Sequence, residues 1–146
     1  MKSNNKFSLT VTSNSYNESF VRVAVSSFVA QLDPTIDELC DIKTAVSEAV
    51  TNSIVHAYPD RLKRERSFIY ISARLYDTGE VTVEVSDNGC GIENVERARM
   101  PMFTTGDSSL RSGMGFLVME SFTDSLIVKS KVGRGTTVLM RKNLKP

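Results

Sequence analysis

The chain has 146 residues, 40% hydrophobic and 24% charged, which suits one globular domain over residues 1–146 with enough apolar side chains for its own core. A formal net charge of +1 removes any global electrostatic argument for nucleic-acid or membrane-surface binding. Cys40 and Cys90 are far apart, which fits free thiols in a reducing compartment. With no run of about 18 apolar residues, a cytoplasmic location is expected.

Residues 7–12 alternate apolar and polar with a period of two and predict a half-buried strand. Ser15-x-x-Glu18 has the form of a capping box ahead of Phe20, Val21, Val25, Phe28, Val29 and Leu32, whose spacing gives a helix one apolar face. Glu18 and Arg22 fall outside that stripe and read as a solvated face. Asp33-Pro34 predicts the next helix start, with helix continuing to about Tyr58 and a core stripe of Ile36, Leu39, Ile42, Val46, Val50, Ile54 and Ala57. On another side, Glu48, Asn52 and His56 recur every four residues and are expected in a single row at roughly 6 Å axial spacing.

Residues 60–66 form a charged connection expected to be an exposed loop, after which 68–76 and 80–87 alternate strongly and are joined by the hairpin signal Asp77-Thr78-Gly79. The second of these strands delivers Asp87-Asn88-Gly89-Cys90-Gly91. Residues 93–99 predict a short helix ended by Pro101. Residues 103–115 show little periodicity and three glycines, and read as a segment closing over a ligand. Helical spacing resumes over 114–122, and strands are expected over 126–131 and 136–141 around a Val132–Gly135 turn.

Three stretches carry chemistry. A carboxylate at a strand exit followed by two glycines, as at Asp87, Gly89 and Gly91, can floor a flat polar ligand, because the carboxylate accepts and glycine lets the backbone approach closely; the same pattern also makes an ordinary turn. Gly113-Met114-Gly115 ahead of a helix is a phosphate loop or a hinge, and matches neither a Walker loop nor a dinucleotide fingerprint. Glu48 and Asn52 form either a surface hydrogen bond or a magnesium site in which Asn52 gives an oxygen and Glu48 acts as base. His56, the only histidine, reads as structural.

Taken in order, Glu48–Tyr58, Asp87–Gly91, Arg111–Phe116 and Gly135-Thr136-Thr137 resemble the four boxes of the GHKL ATPase superfamily, which includes DNA gyrase B and the sensor histidine kinases. Within it, Asn17–Phe20 with Arg22, Phe28–Thr35, Ser47–Asn52 and Met102–Thr105 are similar to bacterial anti-sigma factors with serine kinase activity. The resemblance implies the Bergerat ATP-binding fold, an α/β (α+β) two-layer sandwich with helices on one face of a mixed, mainly antiparallel sheet. It implies a homodimer that binds and inhibits a sporulation sigma factor and, with Mg2+ and ATP, phosphorylates an anti-anti-sigma protein on serine.

Carried onto this sequence, the resemblance makes Asp87 the acceptor for the adenine amino group, supported by Thr136, with Gly89 and Gly91 lining the base pocket. Gly113 and Gly115 would give N–H groups to phosphates of ATP or ADP, and Thr104 and Thr105 would join the nucleotide site. Asn52 becomes the Mg2+ ligand, Glu48 the general base, Arg111 the cation on the γ-phosphate, and Arg22 a sigma-facing residue. Two other readings stand beside it: a histidine-kinase-type catalytic domain, and a nucleotide-dependent sigma-binding module without turnover.

Overall fold

A computed structural model describes residues 4–100 and 115–144. Five strands, β1 (Asn5–Thr12), β2 (Phe68–Leu75), β3 (Glu80–Asp87), β4 (Ser125–Lys131) and β5 (Gly135–Asn143), form one sheet in the order β1-β2-β3-β5-β4. All four pairings among the described residues are antiparallel, so there the sandwich expected from the resemblance forms without the parallel pair of a mixed sheet. The β2–β3 hairpin turns where expected: Gly79 takes φ 89° and its N–H donates to the Tyr76 carbonyl at 3.0 Å.

The alternation along the strands decides what faces inward. Ile69, Ile71, Ala73 and Leu75 of β2 and Val81, Val83 and Val85 of β3 are buried. They meet Val21, Val25 and Val29 of α1 (Tyr16–Val29), Ile42, Val46 and Val50 of α2 (Ile36–Asn52), and Phe116 and Met119 of α5 (Gly115–Ser121). The opposite face carries Phe68 and Tyr70, both exposed. Short helices α3 (Arg61–Glu65) and α4 (Val95–Ala98), a 3-10 turn (Ala30–Leu32) and a π turn (Ser53–Ala57) complete the described elements, and none of the described helices is long and apolar enough to cross a membrane.

Several local expectations fail for identifiable reasons. Ser15 is itself helical (φ −58°, ψ −26°) and makes no side-chain cap; Asn14 Oδ1 instead accepts from the Tyr16 N–H at 2.9 Å, while Glu18 pairs with Arg22 at 3.4 Å. The second helix is capped by Thr35, not Asp33: Thr35 and Glu38 form a reciprocal capping box, and Asp33 adopts a left-handed φ of 52° after a 3-10 turn. Phe20 and Ile36, expected in the apolar stripes, are 54% and 82% exposed. Residues 61–65 wind into a helix capped by Asp60, whose Oδ1 accepts from the Leu62 N–H at 2.9 Å, in place of the expected loop.

A buried carboxylate held by three elements

The period of two that buries Val81, Val83 and Val85 also carries Asp87 to the helix side of the sheet, at the end of its central strand. Asp87 is only 4% exposed. A buried carboxylate is costly unless its oxygens are met by donors, and donors arrive from three directions. Oδ1 accepts from the Gly89 N–H at 3.0 Å, in the loop after β3, and from the Thr136 N–H at 3.2 Å, on β5. Oδ2 accepts from the Ser53 hydroxyl at 2.9 Å, just past the end of α2. Burial nevertheless pushes the Asp87 carboxyl above the usual carboxylate range, against the pull of those three hydrogen bonds.

Ser53 reaches Asp87 from the end of α2, where its N–H still bonds to the Ala49 carbonyl. Residues Ser53–Ala57 form a single π-helical turn, a wider winding often found at functional sites. His56, the third residue of the expected row, falls within this turn and is half-buried like Glu48 and Asn52. Glu48 and Asn52 remain four residues apart on α2, both half-buried.

The loop after Asp87 is braced on two sides. Tyr58, buried at the end of the π turn, accepts from the Asn88 N–H at 2.9 Å and donates to the Phe68 carbonyl at 2.9 Å. Burial pushes its phenol above the ordinary tyrosine range. The Cys90 N–H donates to the Ala57 carbonyl at 2.8 Å, and the exposed Cys90 thiol lies 3.2 Å from the His56 carbonyl. On the other side, the Ile92 N–H donates to Ser130 Oγ at 2.7 Å and the Gly133 N–H to the Cys90 carbonyl at 2.8 Å.

This bracing gives the glycines a role the sequence did not suggest. A Cβ on Gly89 would overlap the Ala57 carbonyl, and one on Gly91, at φ 77°, would overlap the Lys131 carbonyl. Both are glycine first because protein backbone lies against them. Thr136 likewise acts on Asp87 through its backbone N–H, while its hydroxyl pairs with Ser130 Oγ at 2.8 Å. Ser53, Tyr58 and Ser130 were not legible as site residues, although Ser53 directly follows Asn52 in the box that was singled out.

Gly115 is buried at the first residue of α5. Arg111, Gly113, Thr104, Thr105 and most of the 103–115 segment lie outside the described residues. No group of three or more His, Cys, Asp and Glu side chains gathers among the described residues as a metal site would require. A single amide oxygen at Asn52 is nevertheless a donor set that suits a cation keeping most of its waters and phosphate ligands.

Residues 12–142 match the model of the histidine kinase-like ATPase domain. The chain is 53% identical over 138 residues to the anti-sigma F factor of Clostridium botulinum (strain Alaska E43), covering 94% of both chains. It is 50% identical over 140 residues to the anti-sigma F factor of Geobacillus thermodenitrificans, covering 96% of this chain and 93% of that protein. Its fold is similar to a crystal structure of RsbU and RsbW domains from Mycobacterium tuberculosis (TM-score 0.71, 19% identity), with 98% of this chain aligned to 34% of that one. It is also similar to the mycobacterial sensor histidine kinase MprB (TM-score 0.57, 18% identity), with 74% of this chain aligned to 73% of that one.

Proposed function

We propose, because this chain belongs to the histidine kinase-like ATPase family and within it to the anti-sigma F factors, that it binds and inhibits a sporulation sigma factor. In the cytoplasm, as a homodimer, it uses ATP to phosphorylate an anti-anti-sigma protein on serine. The observation that carries the nucleotide part is Asp87: a carboxylate on the core side of the sheet, held by three donors, with Oδ2 still able to accept one more hydrogen. An adenine amino group supplies that hydrogen, whereas a guanine carbonyl at the same place would set acceptor against acceptor.

The remaining chemistry follows the helix that ends above Asp87. Asn52 would hold magnesium through its amide oxygen, and the ion would supply neutralisation of the phosphate charge. Glu48, one turn earlier, would accept the proton of the attacking serine hydroxyl as its oxygen bonds to the γ-phosphorus and ADP leaves. Arg111 would stabilise the charge on the transferred group, and Thr104, Thr105, Gly113 and Gly115 would enclose the phosphates.

Partner binding in this reading falls on α1. Tyr16, Phe20 and Val23, at i, i+4 and i+7, are 87%, 54% and 60% exposed, an apolar stripe beside the Glu18–Arg22 pair. Arg22 would face the sigma factor there.

Incubation with Mg-ATP and the anti-anti-sigma partner tests the proposal. Phosphoserine should form in that partner, and Glu48→Gln should keep ADP and sigma-factor binding while transfer falls by orders of magnitude. Label on histidine would favour a histidine-kinase module, and binding without any transfer a module without turnover; either overturns the kinase reading.

A further inference from the structure

Asp87 is a better discriminator of bases as an acceptor than its surroundings would make it. Taken out of water, a carboxyl tends to keep its proton, and a protonated carboxyl is a donor as well as an acceptor. In that form it could donate to the 6-oxo group of hypoxanthine or guanine and would lose its preference for a 6-amino group. Of the three donors that oppose this, two are backbone N–H groups and both serve Oδ1. The third is the only side chain among them, and it serves Oδ2: Ser53, 6% exposed, 2.9 Å away.

We infer that Ser53 is the specificity-determining positioning residue of the adenine site, its hydroxyl holding Asp87 Oδ2 as an acceptor aimed at a 6-amino purine. This rests on the nucleotide reading given above. The fold supports it from the other side: Ser53 stands where α2 passes into the π turn, and its hydroxyl joins that helix end to β3. Among the described residues, the titratable groups around Asp87 are few. Tyr58 closes the same turn with its hydroxyl committed to Asn88 and Phe68, His56 precedes it by two residues, and Cys90 follows in the loop. On the paired strands the facing residues are the apolar Ile69 and the backbone of Thr136.

Calorimetric titration of ADP and of inosine diphosphate, which carries a 6-oxo group in place of the 6-amino group, separates selectivity from simple packing. Both are titrated into the wild-type protein, Ser53→Ala and Ser53→Thr, from neutral into mildly acidic solution. Ser53→Ala should bind ADP about tenfold more weakly, the scale of one hydrogen bond to a charged group. It should also narrow the ADP to inosine diphosphate ratio, and its ADP affinity should fall at a higher pH than in the wild type. Ser53→Thr, which keeps the hydroxyl, should recover all three.

An unchanged ratio and pH profile in Ser53→Ala, even with uniformly weaker binding, would reduce Ser53 to a packing role and overturn the inference. If Ser53→Ala does not fold, Ser53→Cys, near-isosteric with a weak donor, is read by the same ratio and profile. A wild-type protein that binds neither nucleotide would instead sink the nucleotide reading itself.

Discussion

Asp87, in the role proposed for it, would serve binding against stability. Its carboxyl titrates above the ordinary range because it is buried. The folded state therefore takes up the proton more readily than the unfolded chain does. The stability this lends is present below the usual carboxylate range and is lost as pH rises through the raised value, so at neutral pH the ionised group is a net burden on the fold. Asn at this position escapes the burden and keeps every partner. Its oxygen can accept from Gly89 and Thr136, and its amide can donate to Ser53 with the hydroxyl turned round. What it presents to an adenine amine is then a donor. Asp87→Asn without nucleotide should unfold at neutral pH at a temperature no lower than the wild type, while ADP affinity drops more than about tenfold. A lowered melting temperature with unchanged ADP binding would contradict both halves. The type and place of this residue were legible from D-x-G-x-G at a strand exit. Its donors were not, because two are backbone groups and the third, Ser53, comes from a turn whose winding no periodicity announces.

Among the elements, α1 and α2 show why the same capping-box pattern forms at one helix start and not at another. Both Ser15-x-x-Glu18 and Thr35-x-x-Glu38 have the capping-box form. Only the second closes: Thr35 is extended (φ −66°, ψ 162°), its hydroxyl accepts from the Glu38 N–H at 3.1 Å, and Glu38 accepts from the Thr35 N–H at 2.9 Å. At α1 the preceding Asn14 caps first, and Arg22, one turn on, takes the Glu18 carboxylate. Thr35→Ala should therefore cost about 1 kcal/mol in urea unfolding, and Ser15→Ala only a few tenths. Equal costs would mean that Ser15 caps in solution. The apolar stripes were misjudged at their first turns, at Phe20 and Ile36, where period alone does not say how far the covering layer extends. The box glycines were found, but their cause was not, since close approach to Ala57 and Lys131 depends on partners 32 and 40 residues away in the chain.

For the whole molecule, alternation located five strands but could not order them. Residues 125–131 and 135–143 form an evident hairpin, yet which of the two meets β3 depends on long-range pairing: β5 inserts between β3 and β4. That insertion brings Thr136 to Asp87 and makes the carboxylate a junction of β3, β5, the loop and the helix end. A ligand bound only by the folded state stabilises by about 2.7 kcal/mol at a hundredfold excess over Kd, and the junction dictates how that stabilisation spreads. Opening any one of the attached elements exposes or detaches Asp87, so a nucleotide that needs Asp87 intact suppresses all those openings together. In hydrogen exchange with and without ADP, the amides of Gly89, Cys90 and Thr136 should slow by a common factor. The amides of edge strand β1, which reaches Asp87 only through β2, should change far less in their local opening. Protection confined to Gly89 and Cys90, with Thr136 unmoved, would show that β5 is not coupled to the site through this carboxylate.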